Sequence, residues 1–543
     1  MPTPEKRDSW IPMHVIAMAQ AFMSFNVAAV PVSMSGMVES FQTPPTTVGT
    51  AIVFYSLTMS GFVMLGAKLG QRFGSKVFFQ FSVGLFLLAM VTMVLSPTAK
   101  VMLGGQALAG FAAAGVVPTL VVLIAEHYRG KQQAEAVGWL GSARAIAGVL
   151  AFVTVGAVAT WLSWRWAFGL LILHGTVLLL LSFKLKSSAP LPDVKIDVMG
   201  VVLSVGAIIL ITLGFNNLRE WGVLIARPAA PFDVAGVSPA PVMIVVGIAL
   251  FAGFLAWSHW QAAEGKTPLI ALEVIESPLE WMTAVALFMI VAMEGAINFS
   301  VPLYLQIVQG RPAIHTSIAM MPFMLTVFFT AILIVRLYNR FTPRQIATSA
   351  FLVVAAGTAW LAFVVRNDWS TFPVIIGLLT VGLGQGALVT LLFNVLVTAS
   401  PKDLAGDVGS LRGVTQNLGA AVGTAVVGAL LVGLLSTMII GQLNQNPVIT
   451  AELKDEVNLT DLNFMSDIQI RERLGSTSAT PEQMDEALRI NAEARIRALK
   501  IGFLCLSGLA LLALVPCRWL PDYKPGEIPS GIAEKAGAQQ VNR

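Results

Sequence analysis

Two ionisable side chains fall deep inside apolar stretches of the sequence, and any chemistry would start from them. Arg144 is flanked by Ser142, Ala145 and Ile146, and Glu294 lies within Ile290-Val-Ala-Met-Glu-Gly-Ala-Ile-Asn298. A charge at the middle of a bilayer costs about 3 kcal/mol on insertion scales, so such a residue faces a cavity or a partner. Three readings stay open for Arg144. It can bridge to Glu294, hold an anionic substrate through the guanidinium fork, or snorkel to an interface. Glu294 can carry a proton, neutralise a cationic substrate, or sit in a permanent pair with Arg144. Softer candidates for a substrate or proton pathway are Asn26, Gln106, Asn298, Gln385 and Asn394, each of which could equally make an interhelical hydrogen bond. The sequence contains no nucleotide-binding loop, no His-Glu-x-x-His and no clustered metal ligands. Neither a cofactor nor a catalytic centre is therefore expected.

Positioning these residues takes long apolar helices, and the composition supplies them. The 543 residues are 56% hydrophobic and 12% charged, with a mean hydropathy of +0.77, whereas soluble domains carry about 25% charged residues. Runs of about twenty apolar residues, the length that crosses a bilayer, fall near 11–34, 46–67, 77–96, 101–125, 134–160, 164–184, 198–217 and 241–260. Six more lie near 281–304, 316–337, 345–365, 372–396, 406–436 and 498–519. The first run is too long for a signal-peptide core and reads as the first span. The expected fold is an all-α membrane protein of about fourteen transmembrane helices in the lipid bilayer. The net charge of +4 does not imply a nucleic-acid partner, because Lys and Arg recur in short loops rather than on one face. Cys505 and Cys517 stand roughly 18 Å apart along one helix, too far for a disulfide.

Those loops also set sidedness. One side takes Lys6, Arg7, Lys68, Arg72, Lys76, Arg129, Lys131, Lys184, Lys186, Lys195, Arg336, Arg340, Arg344, Arg518 and Lys524, while the other holds Glu39, Lys100, Arg311 and Asp368. Both termini are expected to be cytoplasmic in a multi-pass protein of the inner cell membrane. Lys68-Leu-Gly-Gln-Arg-Phe-Gly-Ser-Lys76 is echoed 268 residues later by Arg336-Leu-Tyr-Asn-Arg-Phe-Thr-Pro-Arg344. Basic loops alone explain the charges but not the shared Leu and Arg-Phe, so the reading is an internal duplication. The organisation expected is a six-helix bundle over 1–186, a linker hairpin of two extra spans over 187–266, and a second bundle over 267–520. A cytoplasmic tail follows at 521–543. The acid-rich segment 437–497 is expected outside, more as a solvated spacer than a binding surface, and is a candidate contact for a periplasmic adaptor. Within it, Thr480-Pro-Glu-Gln483 has the pattern of a capping box from which a helix would run into the last span.

At these loops the chain resembles the major facilitator superfamily, and more narrowly its fourteen-span drug:proton antiporter branch, which includes EmrB-type and quaternary-ammonium efflux pumps. The family's loop after span two is matched by Ala67 to Lys76, with Gln71, Arg72, Gly74 and Lys76 at its signature positions and Arg336, Arg340 and Arg344 in the second copy. Ser163-Trp-Arg-Trp-Ala-Phe168 resembles the signature after span five, Asp197 with Gly200 the start of span seven, and Gly406 to Gly423 span thirteen. The resemblance implies an exporter of small organic or drug-like molecules working by alternating access with proton antiport. It also implies that the basic loops hold one face closed. An alternative is a carrier of an organic anion bound at Arg144 without that coupling. The family's charges are replaced at several positions: Gln71 stands for an acid, Asn26 for the first-span Asp, Gln106 for the fourth-span Arg and Gln416 for an Arg of span thirteen. Amides hydrogen-bond but do not titrate, which leaves Glu294 as the carboxyl group able to take a proton.

Overall fold

Apolar runs punctuated by Pro, Ser and Thr fold as helices with well-marked starts. The computed structural model describes residues 9–128, 130–186, 190–192, 194–233, 235–275, 277–366, 371–399, 405–449, 467–475, 477 and 479–523. The helices are α1 Ile11–Val32, α2 Met34–Phe41, α3 Pro45–Phe73, α4 Ser75–Leu95, α5 Ala99–His127, α6 Gly130–Trp161 and α7 Trp164–Ser182. They continue as α8 Val198–Trp221, α9 Pro239–Ala263, α10 Pro278–Pro302, α11 Ala313–Leu333, α12 Pro343–Val364, α13 Thr371–Ala399 and α14 Ala405–Gln445. Beyond these come α15 Asp467–Leu474 and α16 Pro481–Leu512. Proline opens α3, α9, α10, α12 and α16 at the first turn, where its missing N–H is no loss. Capping boxes Thr342/Gln345 and Thr480/Gln483 fix the starts of α12 and α16, the second as the sequence indicates. Thirteen of the described helices are long and apolar enough to cross a membrane, and α6 adds a shorter apolar stretch, Ile146–Trp161.

Of the expected boundaries that move, two matter most for the fold. The first span ends early, because Pro31 removes a ladder N–H and the chain breaks at Ser33 before resuming as α2. The thirteenth runs on past 436 to Gln445, so that α14 spans 41 residues. At 1.5 Å per residue that is roughly 60 Å, about twice the hydrocarbon core. Its end packs against the start of α16, also overlong at 32 residues. The described parts of 437–497 are therefore a folded helical extension rather than a solvated spacer. Gln483 donates to the Val448 carbonyl (3.1 Å), Asn446 bonds Glu486, and Ile470, Leu474 and Leu488 form a small apolar core. Arg489 grips Glu486 through two nitrogens (2.9 and 2.7 Å) and holds its carboxyl group well down, at about 2. Arg495, 2% exposed, reaches Asp467 of α15 at 2.6 Å. Residues 450–466 lie outside the described set.

Alternation of direction puts the start of α1 and the end of α16 on one face, the proximal face, and the α14–α16 extension on the other, the distal face. Within the first six spans α3 packs on α5, α4 on α5 and α7, and α1 on α6; within the last six α10 packs on α14, α12 on α13 and α16, and α11 on α13. The two sets meet along α3/α14 and α6/α11, and α8, paired with α9, lies against both α3 and α14. Glycines make the closest crossings. A Cβ on Gly423 would run into the Ala292 carbonyl oxygen of α10, and one on Gly295 would come within 2.5 Å of the Ala420 oxygen of α14. Small residues at these contacts let backbones touch.

The duplicated loops perform the same task in the two copies. Lys76 donates to the Phe183 and Leu185 carbonyls (3.0 and 2.7 Å) just past α7. Arg344, its counterpart, donates to the Leu520 carbonyl (3.3 Å) and pairs with Asp522 (3.0 Å) just past the last span. Each cation thus satisfies carbonyls at the end of the sixth helix of its own copy, where the helix dipole favours positive charge. The copies differ at Gly74, whose φ of +88° suits glycine. The matching Thr342 instead caps α12 from extended backbone.

Candidate functional site

The last turns of α10 carry one polar stripe. Gly295 and Ala292 face α14, and the Gly295 carbonyl accepts from Thr424 Oγ1 (3.2 Å). Glu294 and Asn298, one turn apart, are consequently rotated off that seam and half-buried, while Met293, Gly295, Ala296 and Ile297 between them are buried. Asn298 Oδ1 is enclosed without a hydrogen-bond partner among the described residues, and so is Oε1 of Gln385 on α13, a side chain 1% exposed. α13 packs directly against α10. Leaving a buried acceptor unmatched costs about 1–3 kcal/mol. Each of these two oxygens, on helices that pack together, is left for a ligand or water to satisfy. Asn394 is half-buried further along α13, about 13 Å of helix rise from Gln385 towards the proximal face.

The first copy resolves its amides differently. Asn26 of α1 and Gln106 of α5, 1% and 0% exposed, donate to each other's side-chain oxygens at 3.1 Å in both directions. They pin two helices together and satisfy one another, so the interhelical reading holds for this pair. Glu294 stands 268 residues after Asn26, the offset that relates the duplicated loops. The repeat therefore places a carboxyl group in the second copy where the first has a spent amide. Arg144 lies on α6, whose main partners are α1 and α11, whereas α10 packs on α14 and α13. The Arg144 side chain is outside the described residues. Of the loop candidates, Gln71 accepts from the Leu191 N–H through its backbone oxygen (3.1 Å). Arg72, Arg336 and Arg340 are exposed. His174 bonds the Met18 carbonyl (2.9 Å) and stacks on Phe22.

Two residues were missed. Arg412 of α14 lays its guanidinium over the Phe393 ring of α13, 3.9 Å from the centroid. Its signal was an arginine inside a run otherwise free of positive charge, Gly406 to Gly423. Gln306 is the second. Its amide accepts from Ser35 N–H (2.8 Å) and donates to the Pro31 carbonyl and Thr316 Oγ1 (3.0 Å each). Pro31 and Ser35 flank the break in the first span, and Gln306 sits in a π-helical turn, Leu303–Val308, directly after Pro302. Backbone groups freed by one helix break are thus satisfied by an amide presented from another. Beside it Thr160 accepts from Ile314 N–H (2.9 Å) and Ser317 donates to the Phe152 carbonyl (2.5 Å). These contacts clamp the two sets of spans together at the distal face. Gln306→Leu is expected to weaken the clamp by about 1–3 kcal/mol, net hydrogen bonds contributing roughly 1 kcal/mol each. Spin labels at Glu39 and Arg311, in a Cys505→Ser background, would then report a longer distal distance population by electron–electron resonance. An unchanged distribution refutes the clamp.

The sequence profile of the major facilitator superfamily matches residues 16–424. The chain belongs to this superfamily. It is 27% identical over 402 residues to the protein named "Probable actinorhodin transporter" of Streptomyces coelicolor, an alignment covering 71% of this chain and 66% of that one. It is 21% identical to the methylenomycin A resistance protein of Bacillus subtilis, over 77% of this chain and 86% of that one. Among solved structures it is similar to a bacterial homolog of the human lysosomal transporter Spinster, in an inward-facing and occupied conformation. That match has a TM-score of 0.60 at 15% identity over 92% and 96% of the two chains. At that identity the likeness speaks for the fold alone.

Proposed function

We propose that this superfamily member is a secondary active exporter of small organic, drug-like molecules, driven by proton antiport. Its two six-helix units, 1–186 and 267–520, would rock about a mid-membrane site. The proximal face is taken as cytoplasmic, on the strength of the Lys and Arg loops, in an inner cell membrane. The observation that carries the reading is the stripe on α10 and α13. It comprises a carboxyl group, Glu294, and an unmatched amide oxygen, Asn298, on α10, with a second unmatched oxygen, Gln385, on the adjoining α13, groups suited to exchanging a proton for an organic ligand. The names of the Streptomyces and Bacillus relatives, both tied to antibiotics, favour export. A second reading, an organic-anion carrier, draws on guanidinium groups at Arg412, stacked on Phe393, and at Arg144. The distal extension is the surface that a periplasmic adaptor would use.

Purified protein in liposomes, with an imposed pH gradient and a panel of cationic and anionic compounds, separates these readings. Gradient-driven movement of organic compounds is the expected result. Flux indifferent to the gradient rejects proton antiport, and a preference for anions lost in Arg412→Ala or Arg144→Ala selects the second reading.

A further inference from the structure

A second binding feature lies away from the central stripe. On the outer side of the first six spans, α3, α4 and α5 border a crevice that is partly open to its surroundings. Leu65, Leu69, Phe78, Phe81, Leu85 and Phe111 line it, and Ser82 is the one polar side chain among the lining residues. Glycine creates the space: a Cβ on Gly115 would strike Ser82 Oγ and crowd the Phe78 ring. At the mouth Phe81 and Phe111 are 63% and 39% exposed. Along the same helices Val77, Leu88, Val101 and Val121 are also exposed, so the mouth opens onto an apolar, lipid-facing surface.

Positive charge sits directly above it. Leu65, Leu69 and Arg72 recur at helical spacing on one side of α3, and Lys68 lies beside them. Arg72 is exposed and Lys68 half-buried, and neither has a protein partner among the described residues. Their neighbours are committed elsewhere: Lys76 to carbonyls past α7, and Glu126 to Ser75 Oγ (2.6 Å). From Arg72 to Phe62 at the crevice's inner end is ten residues, about 15 Å of helix rise, or half of a hydrocarbon core of about 30 Å. The feature therefore has the dimensions of one leaflet, apolar through its depth and cationic at its surface.

We propose that this crevice binds an anionic phospholipid of the surrounding bilayer, with an acyl chain along Leu69, Leu65 and Phe62 and the phosphate at Arg72 and Lys68. Guanidinium suits phosphate through its paired donors, and basic clusters at the cytoplasmic ends of spans attract anionic headgroups. A zwitterionic lipid would fill the same groove without the charge complement.

The test is native mass spectrometry of the purified full-length protein with phosphatidylglycerol and phosphatidylcholine of identical chains. Preferential retention of phosphatidylglycerol is expected, falling about tenfold in a Lys68→Ala/Arg72→Ala double variant with phosphatidylcholine unaffected. Leu85→Trp, which fills the crevice with the cations in place, should weaken retention of both. Soluble glycerol phosphate should not compete, because the headgroup alone lacks the apolar contact. Equal retention of the two lipids by the unaltered protein overturns the proposal. Phosphatidylglycerol retention that survives the double variant, or competition by glycerol phosphate, overturns it as well. The two alanine substitutions are on solvent- and lipid-facing side chains, so the variant's melting temperature serves as the folding control.

Discussion

Gly423→Leu is expected to leave almost no folded transporter. The residue sits where α14 crosses α10, and its missing side chain is what allows the Ala292 carbonyl to lie against it. Main-chain atoms cannot rotate aside as a side chain can, so the helices must separate. Separation would also lift Gly295 from Ala420 and break the Thr424 to Gly295 hydrogen bond. Overpacking costs about 1–3 kcal/mol even where side chains can adjust, and total stability is commonly only about 5–15 kcal/mol. Gly433→Leu on the same helix provides the control, because nothing lies within 4 Å of a Cβ placed there. Size-exclusion profiles and melting curves in detergent should show the first variant aggregated or strongly destabilised and the second close to the parent. Equal behaviour of the two would mean that α10 and α14 do not cross as described.

The architecture was legible in the sequence because the bilayer imposes a length rule. A run of about twenty apolar residues has few alternatives to a spanning helix, and helix starts are written in Pro, Ser and Thr. Where α14 ends was not legible, since polar residues after 436 leave the membrane without leaving the helix, and only packing against α16 shows that they continue. Similarly, Pro31 predicts a disturbance of the first span, but not that a glutamine 275 residues away satisfies the freed groups. That the central candidates are polar groups inside spans is legible from the sequence. Which of them are spent and which are open depends on helix rotation, to which a one-dimensional pattern is blind. Asn26 and Gln106 read like Asn298 and Gln385; only their facing directions separate a closed pair from two unmatched oxygens. Arg412 was passed over for a simpler reason, lying within a stretch read for its glycines.

On the proposed antiport, the asymmetry between the copies would concentrate proton coupling on one residue, and Glu294→Gln isolates it. The substitution keeps side-chain size and hydrogen-bonding reach and removes only the ability to titrate. It makes position 294 an amide, as Asn26 already is in the first copy. That amide is compatible with a folded bundle, since Asn26 is hydrogen-bonded within one. Substrate binding through Asn298 and Gln385 should survive, because neither amide is altered. Loss should therefore appear in coupling rather than in occupancy. In liposomes, flux driven by a pH gradient is expected to fall at least about tenfold, equivalent to ~1.4 kcal/mol, while exchange of labelled for unlabelled substrate at equal pH continues. If gradient-driven flux persists in Glu294→Gln, the proton travels elsewhere, and Asp407 at the start of α14 becomes the next carboxyl group to alter. If both activities disappear together in a protein with an unchanged melting temperature, Glu294 binds the substrate itself. Intramembrane carboxyl groups in transporters serve in either capacity, and comparing the two fluxes tells them apart.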